Sequence, residues 1–270
     1  MKNKILTTVS AIALMGVMPT FAEAAKTQTE INAEASTSDN ISEYAKKTWE
    51  NIKGGSADAY EEISATVIGD DRSNKNASFI IENRKTANGI INHPVYNERN
   101  ERIGTVTDII LDRNGQATMV IVEDRAFFGA GKKAAFNYST ITRIERDGDV
   151  IMPLTKAAID NASSFSYDRS ERTDTVRVIP ANSYSVVQLL DGELINQNNE
   201  TLADIENISF KNGSADQLII GFDKLLGMGG ETAAFSYSDA TIIADGERLN
   251  FRLNTQRSAQ FEAHKKAVAN

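Results

Sequence analysis

The spacing of apolar residues changes along the chain, and each spacing predicts a different element. An apolar run from Ile5 to Val17 follows Lys2 and Lys4 and is broken by Pro19. Ile41, Tyr44, Ala45, Thr48, Trp49 and Ile52 then recur at i, i+3, i+4, i+7, i+8 and i+11, which places them on one face of a helix. Asn40 can cap that helix and Gly54-Gly55 can end it. A second, shorter helix is expected with Tyr60, Ile63 and Val67 on one side and Gly69 at its end. From Ile103 onward the pattern is that of short β-strands, with β-branched residues in partial alternation and turn residues between the runs.

Sliding the chain on itself by 99 residues brings like onto like. Ile103 meets Leu202, Val106 meets Ile205, Ile109 meets Ile208, Leu111 meets Phe210 and Val120 meets Ile219. A block of identities closes the match, Ala134-Ala135-Phe136 on Ala233-Ala234-Phe235 and Tyr138-Ser139 on Tyr237-Ser238. Asn114-Gly115 and Asn212-Gly213 supply two-residue hairpin turns, because both residue types tolerate positive φ. The second turn is one residue out of the ungapped register. Strands of this length, punctuated by turns, point to a small barrel or sandwich in each repeat, and closing a sheet would remove its exposed edges.

The first repeat carries Ile103-Gly104-Thr105-Val106-Thr107-Asp108-Ile109-Ile110-Leu111-Asp112, then Gly115, Val120, Val122, Phe128-Gly129-Ala130-Gly131 and Phe136. This layout resembles the PRC-barrel domain family. The second repeat is a degenerate version, with Ala203 at the place of Gly104, Asn207 at that of Asp108 and Met228 opposite Gly129. The resemblance implies a small β-barrel. Family members occur in the photosynthetic reaction centre H subunit and in a ribosome maturation factor, where they bind and organise partners. A fold shared so widely carries no activity by itself.

The expected organisation is therefore mainly β. A signal peptide spans 1–24, a flexible tether 25–38, a helical hairpin 39–69 and a linker 70–87. A first PRC-like barrel spans 88–158, a linker 159–179 and a second barrel 180–256. A tail, 257–270, with helical capacity closes the chain. Lys2 and Lys4, the short apolar run and Ala22-Glu23-Ala24 have the anatomy of a secretory signal, cleaved near Ala24. The expected location is the periplasm, with no transmembrane segment in the mature chain.

Composition narrows the chemistry. Of 270 residues, 24% are charged, 29 basic against 37 acidic, for a net charge of -8. That balance argues against a nucleic-acid surface. Without cysteine, thiol catalysis and thiolate metal sites are excluded. His93 and His264 are too far apart in sequence to suggest a metal site or a triad. Asp112-Arg113-Asn114-Gly115 has too few carboxylates for a calcium loop. Gly129-Ala130-Gly131-Lys132 lacks the spacing of a phosphate loop. Asp108, Asp112, Glu123 and Asp124 are expected on solvated strand faces and turns.

No catalytic residue, cofactor site or metal site is assigned. The candidate partner-contact residues are Trp49 on the helical stripe and Phe127, Phe128, Leu225, Leu226 and Met228 at the glycine turns. They either meet a partner or seal the protein's own surfaces. The expected function is non-enzymatic, an adaptor for a protein or envelope component. A small-ligand or metal-binding role in the groove between barrels is the alternative, and a carboxylate enzyme is the third reading.

Overall fold

The computed structural model describes residues 62–69, 78–124, 131–223, 230–246 and 248–269. Two strands come first, β1 (Glu62–Val67) and β2 (Ser78–Glu82). They are followed by β3 (Pro94–Tyr96), β4 (Arg102–Asp112), β5 (Ala117–Glu123), β6 (Lys133–Asn137), β7 (Arg143–Ile144), β8 (Val150–Ile151) and the short helix α1 (Lys156–Asn161). Next are β9 (Ser164–Ser166), β10 (Val176–Val178), β11 (Ser183–Ser185) and helix α2 (Val186–Leu190). The remainder is β12 (Glu193–Ile195), β13 (Thr201–Lys211), β14 (Ser214–Phe222), β15 (Glu231–Ser236), β16 (Ala240–Asp245), β17 (Arg248–Leu253) and helix α3 (Thr255–Val268).

These strands form two sheets. One runs β10-β9-β6-β5-β4-β3-β8-β7, with β11 added to β4, and the other runs β16-β17-β12-β13-β14-β15-β1-β2. Neither path closes on itself, so the two closed barrels expected from the sequence are open sheets instead. Each sheet has the same centre. A three-residue strand pairs with an eleven-residue strand, which forms a hairpin with the next, and a parallel contact (β3 with β8, β12 with β17) folds the end of the unit back. A 3-10 turn follows β6 at Tyr138–Thr140 and β15 at Tyr237–Asp239. A side-chain oxygen of Thr155 caps α1, and one of Asn254 caps α3.

The two hairpins differ by one residue. In the second unit Asn212 and Gly213, at φ 53 and 77, form a two-residue turn between β13 and β14. In the first unit the loop is longer. Asp112 Oδ1 accepts from the Asn114 and Gln116 amides, and only Gly115, at φ 81, is left-handed. The return strands are thus offset by 98 rather than 99, with Asp108 opposite Ile121 and Asn207 opposite Ile219. The ungapped match of Val120 to Ile219 therefore pairs opposite faces of the two sheets, since one residue of slip reverses a strand.

One core serves both units. Ile109, Leu111, Val120 and Val122 of the first sheet share a cluster with Ile208, Phe210, Leu218 and Ile220 of the second. Helix α3 joins it through Phe261, fully buried edge-on against Phe222 at 5.1 Å and Phe235 at 5.8 Å. A second, smaller cluster lies on the other face of the first sheet, where Phe165 and Ile179 cover Ile110, Met119 and Ile121. Residues 159–179, expected as a linker, are instead ordered and supply the strands β9 and β10 that close this face.

Residues 62–67 also depart from expectation. They form strand β1, antiparallel to β2 and parallel to β15, where the end of a helical hairpin was expected. The helix expected around Trp49 lies outside the described residues. The tail expected at 257–270 is helical over most of its length, as part of α3.

Because the core crosses the boundary between the units, they are expected to unfold together. Scanning calorimetry should give one transition whose van't Hoff and calorimetric enthalpies agree; two separated transitions would show independent units. Phe261→Ala should lower stability by about 3–5 kcal/mol in a denaturant titration, as large buried aromatics do.

Candidate functional site

The site is built from two bulges. Val106 and Ile109 both face the shared core, although only two residues separate them. Strict alternation would place them on opposite faces. A register irregularity between Val106 and Asp108 absorbs the extra residue, and β13 has the same irregularity between Ile205 and Asn207. Each bulge presents the following side chain, Asp108 or Asn207, to the segment arriving from the other end of the molecule.

Asp108 is fully buried. Its Oδ1 accepts from the Ile109 amide at 2.7 Å and from the Val187 amide at 3.1 Å. Its Oδ2 accepts from the Ser185 hydroxyl at 2.5 Å and from the Tyr167 hydroxyl at 2.8 Å. Burial pushes the carboxyl up from 3.8 to about 6, and these donors oppose the rise. The same burial, together with the adjacent carboxylate, holds the Tyr167 phenol well above its ordinary value. Asp108 was expected on a solvated face; the Phe165–Ile179 layer and the β11–α2 segment cover it instead.

Asn207 performs the same task with an amide. Its Oδ1 accepts from the Ile208 amide at 2.9 Å and the Asn88 amide at 3.2 Å, while Nδ2 donates to the Thr86 hydroxyl at 3.0 Å. Thr86 in turn donates to the Asn83 carbonyl. The backbone repeats the relation. Ser185 pairs with Ile110 of β4, and Thr86 pairs with Ser209 of β13. The segment leading into each unit is therefore bound to the long strand of the other. The hairpin tips add a second exchange, since the Ala117 amide donates to Gly213 O and the Ala215 amide to Gly115 O, each at 2.8 Å.

A cavity of about 430 Å³ opens beside this seam, between the tip of the second hairpin and the first unit. Ile90, Tyr138, Ile141, Ile144 and Phe210 give it an apolar lining, and Arg84, Lys85, Arg143 and Lys211 also line it. The rings of Tyr138 and Phe210 lie 6.2 Å apart and 33° from parallel. Burial raises the Tyr138 phenol to about 12.

The candidate residues Trp49, Phe127, Phe128, Leu225, Leu226 and Met228 lie outside the described residues. His93 packs against the Asp147-Gly148 turn, and burial lowers its pKa. Glu123 is half-buried with its carboxyl raised by burial, and Asp124 is paired with Lys156 at 2.7 Å. Sequence reasoning missed Asp108 as a buried group; it named a groove between the two units but none of the residues that line the cavity. The spacing of Val106 and Ile109 was the available signal for the first. Among the described residues, no three His, Asp or Glu side chains stand close enough to hold a metal ion.

The strand, bulge and hairpin from β3 to β8 have a counterpart among known families. Residues 82–157 match the PRC-barrel domain family. This segment starts at the last residue of β2 and runs into α1, so it takes in the bulge, Asp108 and most of the cavity wall. No curated protein matches the chain. No helix among the described residues is long and apolar enough to cross a membrane.

The charge on Asp108 has a definite sign of effect. Its carboxyl binds a proton more tightly folded than unfolded, so its contribution to stability is complete below about pH 4 and is lost as pH rises through about 6. Asp108→Asn keeps the Oδ1 acceptor for both amides and can donate to Ser185 and Tyr167, as Asn207 does to Thr86. The difference in unfolding free energy between D108N and the parent should therefore shift in favour of D108N by about 3 kcal/mol between pH 4 and pH 7. A difference independent of pH would refute the assignment. Asp108→Ala strands the buried donors and should cost about 3–5 kcal/mol at neutral pH in the same titration.

Proposed function

We propose that the chain is an exported, non-enzymatic binding protein of the periplasm, whose two units are tandem PRC-barrel-like copies acting together as an adaptor for a protein or envelope component. The observation that carries this reading is the reciprocal joint. Each unit is held by the segment that precedes the other, through Asp108 with Ser185 and Val187, and through Asn207 with Thr86 and Asn88. Such a joint fixes the mutual orientation of the two units, which a scaffold requires. The fully buried carboxylate is saturated by structural donors, so its chemistry serves the architecture. The N-terminal pattern of Lys2, Lys4, the apolar run and Ala22-Glu23-Ala24 supports export. The 99-residue self-match, which reaches past the segment matched by the family, supports the duplication.

Fractionation of cells expressing the full chain, followed by affinity capture from envelope extract, tests this reading. The chain should be recovered from the periplasm with its N-terminus near Ala25, together with a recurrent partner retained by D108N and lost with D108A. Cytoplasmic recovery of the uncleaved chain, or the absence of any recurrent partner, would reject it.

A further inference from the structure

We propose that the cavity at the seam is a binding site for a carboxylate carrying a compact apolar body. The inference goes beyond the adaptor reading and does not depend on it. The lining has the two parts such a ligand needs. The fully buried Ile90 and nearly buried Phe210 form an apolar interior with the Tyr138 ring, and the volume of about 430 Å³ lies within the range of small-molecule sites. Arg84, Lys85, Arg143 and Lys211 supply four positive charges in a chain whose net charge is -8.

Two carboxylates answer part of that charge. Glu82 pairs with Arg84 at 2.6 Å and Lys85 at 2.7 Å, and Glu145 pairs with Arg143 at 2.5 Å. Neither carboxylate lines the cavity, so the residues that do line it carry positive formal charge only. Arg84 is further fixed by donating Nη1 to the Ile144 carbonyl at 2.9 Å. Lys211 has no ion pair among the described residues. A planar guanidinium next to an ammonium suits a carboxylate better than it suits a neutral head.

The pseudo-symmetry of the molecule supplies an internal control. The corresponding corner on the other side of the seam is built by the matching residues of the other unit. There Ser183 stands for Arg84, Tyr184 for Lys85, Asp112 for Lys211 and Arg113 for Asn212, and strand register places Thr241 where Arg143 stands. At that corner burial raises the Tyr237 phenol, and Tyr184 and Asp112 add to the rise. One corner thus carries four cations and no acid in its lining, where the matching positions of the other carry one of each, Arg113 and Asp112. Holding the seam together does not require them, because the other corner achieves the same joint without them.

Decanoate, below its micelle-forming concentration, is the probe, titrated into the full chain by calorimetry. It should bind with one-to-one stoichiometry, and binding should weaken at least tenfold in Arg143→Ala/Lys211→Ala and in Lys211→Glu. Ile141→Trp, which adds bulk to the lining, should abolish it. Decan-1-ol and decyltrimethylammonium should bind at least tenfold more weakly than decanoate, and Arg172→Ala, remote from the cavity, should leave the affinity unchanged. Melting curves of each variant show that the fold is retained. Absence of saturable decanoate binding, equal binding of the alcohol or the cation, or full affinity in the Lys211→Glu protein would each overturn the proposal.

Discussion

The structure depends on one constraint, the satisfaction of polar groups where each entering segment crosses the long strand of the opposite unit. At both crossings a chain must pass over a sheet face with its amides and hydroxyl buried, which is costly unless partners are present. A single acceptor after the bulge meets that demand, Asp108 Oδ1 on one side and Asn207 Oδ1 on the other. The hydroxyl of Ser185 or Thr86 completes each crossing. With these bonds in place, the apolar residues of both sheets can share a continuous core. Without them each unit would expose an apolar face, and units of this size bury little surface on their own.

The two crossings differ in charge, and the difference has physical consequences. An amide can accept and donate within one plane, so Asn207 satisfies Thr86 without burying a charge. A carboxylate can only accept, so Ser185 and Tyr167 must both turn their protons toward Asp108. The first crossing therefore gains an additional donor, Tyr167, brought in by the β9–β10 layer that covers that face. The buried carboxyl is what ties this layer, the entering segment and β4 together, and it makes their association weaken as pH rises through about 6.

The same exchange creates the cavity. Because the hairpin tips bond to each other, the loop of the second hairpin is held against Tyr138 and the Arg143–Ile144 strand of the first unit. A one-residue difference between the hairpins makes the two tips unequal, and the side chains around them have diverged in charge. A nearly symmetric frame thus carries distinctly asymmetric surfaces.

Much of the fold was legible in the chain: the strand runs, the two-residue turn at Asn212-Gly213, and the matching apolar positions of the two long strands. The spacing of Tyr60, Ile63 and Val67 fits one face of a helix. Yet Ile63, Ala65 and Val67 also alternate, and pairing with β2 and β15 selects the strand. Residues 159–179 read as a linker because their few large apolar residues, Phe165 and Ile179 among them, find partners only across space. Local pattern by itself determined which stretches are extended and which side chains seek a core, since those follow from backbone preference and the period of burial. Tertiary structure alone decided that the sheets stay open, that the entering segments cross over, that Asp108 is buried and that four cations meet around one cavity. Each of these depends on contacts between residues far apart in the chain, which no local period encodes.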